Sequence, residues 1–170
     1  MDVEHLVGAR EAAARLKLAR VQAFHQYRRR HPGFPGAVYW TTQGQGGTGV
    51  WYWPDVWRWA RASGLPEFAD LGPLRCPEAR PGPTRRIDID DLVGSKEIAE
   101  RLGIRFIQRV HVMREEDPAF PAPVFSSTGE RWGKYLWAWG DVWRWAKSSG
   151  RRFPVDLGRS PKSLVGGTGA

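Results

Sequence analysis

Gln22, Gln26 and Arg29 lie four and three residues apart, a spacing that places all three on one face of an α-helix. A glutamine amide offers a donor and an acceptor in the geometry of adenine N6 and N7. An arginine fork matches guanine O6 and N7. Arg28, Arg29 and Arg30 close the same stretch as a cation cluster suited to phosphate oxygens. Arg20 precedes the face, and Ala23 and His25 edge it, Ala23 being small enough to meet a thymine methyl. The pattern is that of a base-edge reader beside a phosphate anchor. An arginine-rich helix end also satisfies its own last carbonyls and dipole, so the cluster alone does not decide the matter.

A related set stands 86 residues later: Arg105, Gln108, Arg109, His111, Val112 and Arg114. Gln108 and Arg109 suit base edges, and Val112 suits a thymine methyl. Here Glu115, Glu116 and Asp117 replace Arg29, Arg30 and His31. Residues 1–64 hold nine basic side chains against four acidic, and residues 91–150 hold nine against eight. Carboxylates beside phosphate are unfavourable, so the first set is expected to carry more of the affinity for a polyanion. His25 and His111 have no neighbours at metal-ligand spacing, and no metal or cofactor is expected.

The two sets belong to an internal repeat. Leu6 to Gly64 aligns without gaps to Leu92 to Gly150, with about 26 of 59 positions identical. Leu-Val-Gly opens each copy, Pro-x-Phe-Pro divides it, and Trp-x-Trp-x-Asp-Val-Trp-Arg-Trp-Ala closes it. Two copies are too few for a solenoid and read as tandem domains. The expected organisation is a module over 1–64, a proline-rich spacer over 65–90, a second module over 91–150 and a flexible basic tail over 151–170. At ~3.1 Å per residue such a spacer would reach across more than one ~34 Å turn of DNA.

Positioning these side chains requires a compact set of elements. Gly8 to Leu16 has helix formers at helical spacing, and in the second copy Ser95 is a natural N-cap. A tight turn follows at Lys17-Leu18 or Gly103-Ile104, where glycine suits a left-handed backbone. A second helix is expected over Ala19–Arg29 and Arg105–Glu115. Val21, Phe24 and Tyr27 would form its buried stripe, matched by Ile107, Val110 and Met113. After Pro-x-Phe-Pro come two short strands, over 38–40 and 50–53, then over 124–125 and 135–139. The loops between them offer Gln43, Gln45 and Thr48, or Arg131 and Lys134, to sugar and phosphate. Asp55 or Asp141 would cap a last helix ending at Gly64 or Gly150.

This order of elements resembles the MerR-like winged helix-turn-helix of small bacterial excisionases and related regulators. The resemblance rests on Leu-Val-Gly-x-x-Glu-x-Ala-x-Arg-Leu, on Gln-x-x-His before the arginines, on Phe-Pro-x-x-Val and on Trp-x-x-Asp-Val-x-x-Trp-Ala. It implies an α+β, mainly helical fold: two winged helix-turn-helix modules, each of two to three helices plus a β-hairpin wing. It also implies a second helix in the major groove and a wing along the backbone or minor groove of double-stranded DNA. Two modules in one chain depart from the single module usual in that family.

Composition narrows the alternatives. A net charge of +8 and a pI near 10.2 favour a polyanionic partner. No apolar run approaches the ~20 residues that cross a bilayer, the N-terminal residues do not read as a signal peptide, and Cys76 stands alone. The expectation is a cytoplasmic, nucleoid-associated protein with no membrane and no small-molecule partner. No nucleophile–base pair, phosphate loop or carboxylate cluster is legible, so no enzyme is expected. Trp57 and Trp143 exceed what the last helix needs for its core stripe, and either cover the hairpin or form a partner surface. The leading reading is sequence-specific DNA binding, as a transcriptional regulator or an architectural factor, with itself or another DNA-bound protein as a further partner. The alternative is a protein-interaction adaptor that reuses the same fold.

Overall fold

A computed structural model of the chain describes residues 1–40, 49–74, 86–127 and 135–155. The chain divides into two compact units with the boundary between Arg85 and Arg86. Among the described residues there are six α-helices and two three-stranded antiparallel sheets, an α+β architecture.

In the N-terminal unit the order is β1 (Leu6–Gly8), α1 (Ala9–Arg15), α2 (Val21–Arg30), β2 (Tyr39–Trp40), β3 (Gly49–Tyr52) and α3 (Trp53–Ala62). The sheet order is β1-β3-β2, with Val7 opposite Trp51 and Trp40 opposite Gly49. The C-terminal unit repeats it with β4 (Leu92–Gly94), α4 (Ser95–Arg101), α5 (Gln108–Glu116), β5 (Phe125–Ser126), β6 (Tyr135–Ala138) and α6 (Trp139–Ser148). Its sheet order is β4-β6-β5.

The strands β1 and β4 were not expected. At three residues they are too short for an alternating pattern to show, and they form because the four-residue strands β3 and β6 offer a free edge. Three further local expectations change. The helix α4 is capped at Gly94, so Ser95 is its first helical residue, and Glu97 accepts a hydrogen bond from the Gly94 N–H at 2.9 Å. The helices α3 and α6 start at Trp53 and Trp139, which puts Asp55 and Asp141 inside the first turn rather than at the cap. There Asp55 pairs with Arg58 at 2.8 Å and faces the positive helix end. The helix α5 begins only at Gln108, leaving Arg105, Phe106 and Ile107 ahead of it.

Each core is built from tryptophan and the helix stripes. In the first, Phe24 of α2 meets Trp51 edge-on at 4.9 Å and Phe34 of the Pro-x-Phe-Pro segment at 5.2 Å. Ala12 and Ala13 of α1, Leu16 at its C-cap, and Val56 and Ala60 of α3 close around them. In the second, Val110 and Met113 take the helix positions and pack with Phe120, Trp137 and Trp145. Ile107, expected in this stripe, is instead exposed because it lies before the first turn of α5.

The spacer and tail begin as parts of the units. Phe68 is only 2% exposed and packs on Tyr27 and Trp59, and Leu71 is buried beside it. Burying a phenylalanine contributes about 1.5–3 kcal/mol, so residues 65–72 complete the N-terminal core. In the C-terminal unit Phe153 packs on Trp145 at 5.9 Å, and Arg151 reaches Asp117 at 3.2 Å. A signal for this was present, because Asp70-Leu71-Gly72 recurs as Asp156-Leu157-Gly158 and extends the repeat past Gly150. The remaining residues of the expected spacer and tail lie largely outside the described residues.

Candidate nucleic-acid interface

The turn between α1 and α2 sets the geometry. Lys17 adopts φ 56° and Gly103, its counterpart, φ 68°, so both units turn through the left-handed region. Glycine enters it freely, whereas Lys17 is held there against its preference. The turn presses the α1 face Ala12, Ala13 and Leu16 onto α2, and Phe24 is the α2 residue fully buried by it.

Burial of Phe24 orients the rest of α2 as the helical period dictates. Gln22, Gln26, Arg29 and Arg30 are exposed, and Ala23, His25 and Arg28 are half-buried. Ala19, Arg20, Gln22, Ala23 and Gln26 line one open concavity on the outer surface of the unit. Arg20 caps the start of α2 rather than lying within it. Among the described residues Arg20, Arg29 and Arg30 hold no ion pair, and α2 carries no carboxylate. Amide groups therefore sit in the concavity with free cations at both ends of the helix.

Arg28 differs from its neighbours. Its guanidinium lies over the Trp40 ring, 4.8 Å from the centroid, and ties α2 to the edge strand β2. The C-terminal unit repeats the contact with the aromatic on the other strand. Arg114, the counterpart of Arg28, lies 4.0 Å over Tyr135 of β6. Trp40 faces Gly49 across the ladder, and Tyr135 faces Ser126, so the same cross-strand pair supplies the ring in both units. Gly49 is required where it stands, since a Cβ there would lie 2.5 Å from Trp51 Cη2. With Tyr135 in that place, Trp137 instead donates its indole N–H to the Pro121 carbonyl at 3.0 Å. The Trp51 indole nitrogen is buried with no partner among the described residues.

Burial, then Arg28 and Arg29, pushes the His25 pKa below its ordinary 6.5. His111 is lowered in the same direction, first by burial and then by Arg114. Both imidazoles are thus neutral near pH 7 and bring one donor and one acceptor each to the edge of their helix.

The outer face of α5 has another chemistry. Gln108 and Arg109 are exposed and Val112 is half-buried, but Arg105 precedes the helix and lies 5.2 Å over the Phe106 ring. Arg109 approaches Glu116 at 4.0 Å and Arg114 approaches Glu115 at 3.4 Å, so α5 neutralises much of its own charge. Asp117 does not extend this acidic group. Its carboxylate accepts from the Ala119 N–H, the Trp145 indole and Arg151, and it serves the core of its unit.

Trp57 is half-buried, and its indole donates to the Gly72 carbonyl at 3.2 Å with Arg61 over its ring. It anchors the returning segment, a use that neither expected alternative, covering the hairpin or forming a partner surface, had named. Trp143 is half-buried too, with the Lys147 ammonium 5.6 Å from its ring. Gln43, Gln45, Thr48, Arg131 and Lys134 lie outside the described residues. Among the described residues no group of three His, Cys, Asp or Glu is placed to hold a metal, and no helix is long and apolar enough to cross a membrane. The chain matches no family model, and comparisons with curated proteins and with solved structures likewise return no match.

Proposed function

We propose that the chain is a sequence-specific double-stranded DNA-binding protein whose two units act as tethered winged helix-turn-helix modules. In this reading α2 is the recognition helix of the first and α5 that of the second. One observation carries the reading: the outward face of α2 and its N-cap join Gln22 and Gln26 to Arg20, Arg29 and Arg30, which hold no ion pair among the described residues, with no carboxylate on the helix. Free amides beside free guanidiniums suit base edges beside phosphates. A purely structural surface helix would gain from ion pairs four residues apart, as α1 has between Glu11 and Arg15 and α4 between Lys96 and Glu100, and α2 has none among the described residues. Tethering raises affinity through effective concentration, and a regulator or an architectural factor follows according to whether the bound DNA is bent.

The self-neutralised C-terminal end of α5 favours a second reading for the C-terminal unit alone, as an adaptor that contacts protein. Enrichment of random duplexes by the purified chain, at low and physiological salt, tests both. A reproducible motif lost on Gln22→Ala/Gln26→Ala supports DNA reading. Motif-free binding that vanishes with salt rejects it and leaves the adaptor.

A further inference from the structure

The two recognition-helix faces share a backbone and differ in chemistry. At the positions of Arg20, Val21 and Gln26 in the first unit, the second carries Phe106, Ile107 and Val112. Phe106 is 61% exposed and Ile107 40%, side by side at the start of α5. They are not displaced core residues, because Val110 and Met113 already fill the buried face. Arg105 covers one side of the Phe106 ring and exposed Arg109 lies on the following turn, so the apolar group is flanked by cations.

We infer that the C-terminal unit reads pyrimidine 5-methyl groups in the major groove through Phe106, Ile107 and Val112, so that the two units recognise chemically unlike half-sites. This rests on the DNA-binding reading above. The thymine methyl is the apolar group that the four bases present in the major groove, and a neighbouring phosphate complements Arg105. Glu115 and Glu116 lie at the far end of α5, where Arg114 and Arg109 offset them. The N-terminal unit, with Gln22 and Gln26 in its concavity, instead reads hydrogen-bonding edges. The preferred site is therefore an asymmetric pair rather than a palindrome.

The test replaces thymines one at a time by deoxyuridine in the duplex that the full chain enriches from a random pool. Uracil keeps every hydrogen-bonding group and loses only the methyl. Affinity is expected to fall about three- to fourfold at each methyl in contact, in one half-site only. In Phe106→Ser/Ile107→Ser/Val112→Ser the parent duplex binds more weakly and the uracil penalty disappears. All three positions are at least partly exposed, and an unchanged melting curve confirms that the variant is folded. Uracil tolerated at every position, with the motif retained, overturns the inference and leaves the DNA-binding reading standing. A penalty that persists in the triple variant also overturns it. Failure to enrich any motif removes the DNA-binding reading and the inference with it.

Discussion

Removing Arg29 and Arg30 together should flatten the salt dependence of duplex binding by about 1.8 units of log K per log salt. Each phosphate neutralised on B-DNA contributes about 0.9 to that slope, and these two guanidiniums at the end of α2 hold no ion pair among the described residues. Between 50 and 200 mM salt the parent should then lose about 12-fold more affinity than Arg29→Ala/Arg30→Ala. Arg28 belongs to the same sequence cluster but is committed to the Trp40 ring. Arg28→Ala should leave the slope nearly unchanged and lower stability by about 0.5–1 kcal/mol, the worth of an exposed cation–π contact. Fluorescence anisotropy on a labelled duplex over that salt range gives the slopes, and urea denaturation gives the stability. An unaltered slope in the double variant would refute the phosphate assignment. A loss in Arg28→Ala equal to half that of the pair would show that Arg28 leaves Trp40 for the backbone.

Three further outcomes test the fold that carries the site. Phe68→Ala should cost about 3–5 kcal/mol in chemical denaturation, as for a core phenylalanine, whereas a residue in a mere spacer would cost almost nothing. Gly49→Ala should destabilise by about 1–3 kcal/mol through overpacking against Trp51, while Gly36→Ala, which meets nothing within 4 Å, should stay within about 0.5 kcal/mol of the parent. Equal effects would deny the close approach. The Ala119 N–H, ahead of the Trp145 indole and Arg151, holds the Asp117 carboxyl below the usual carboxylate value. Its contribution to stability is thus present above about pH 4 and lost as pH falls through the lower folded-state pKa. Melting temperatures should drop across that acidic range in the parent and drop less in Asp117→Asn, and parallel profiles would exclude the contact.

The sequence by itself determined the duplication, the helices and the outward face of α2. These follow from local periodicity: Phe24 fixes the buried side, and the turn and angle per residue then expose Gln22, Gln26 and Arg29. It also pointed to a tryptophan-built core, and Trp51, Trp53, Trp137 and Trp145 are buried, since so much apolar area has no better destination. Tertiary structure decided what depends on partners distant in the chain. The strands β1 and β4 exist only as neighbours of β3 and β6, and Phe68 is core only because Tyr27 and Trp59 wait for it. Arg28 looked like Arg29 until the ladder set Trp40 beneath it, and Asp117 looked like Glu116 until Trp145 and Arg151 closed on it. Ile107 kept the spacing of a buried stripe but fell one residue short of the helix. Spacing states which side chains share a face. Whether a given side chain is free to act is settled by contacts across tens of residues, which local periodicity does not encode.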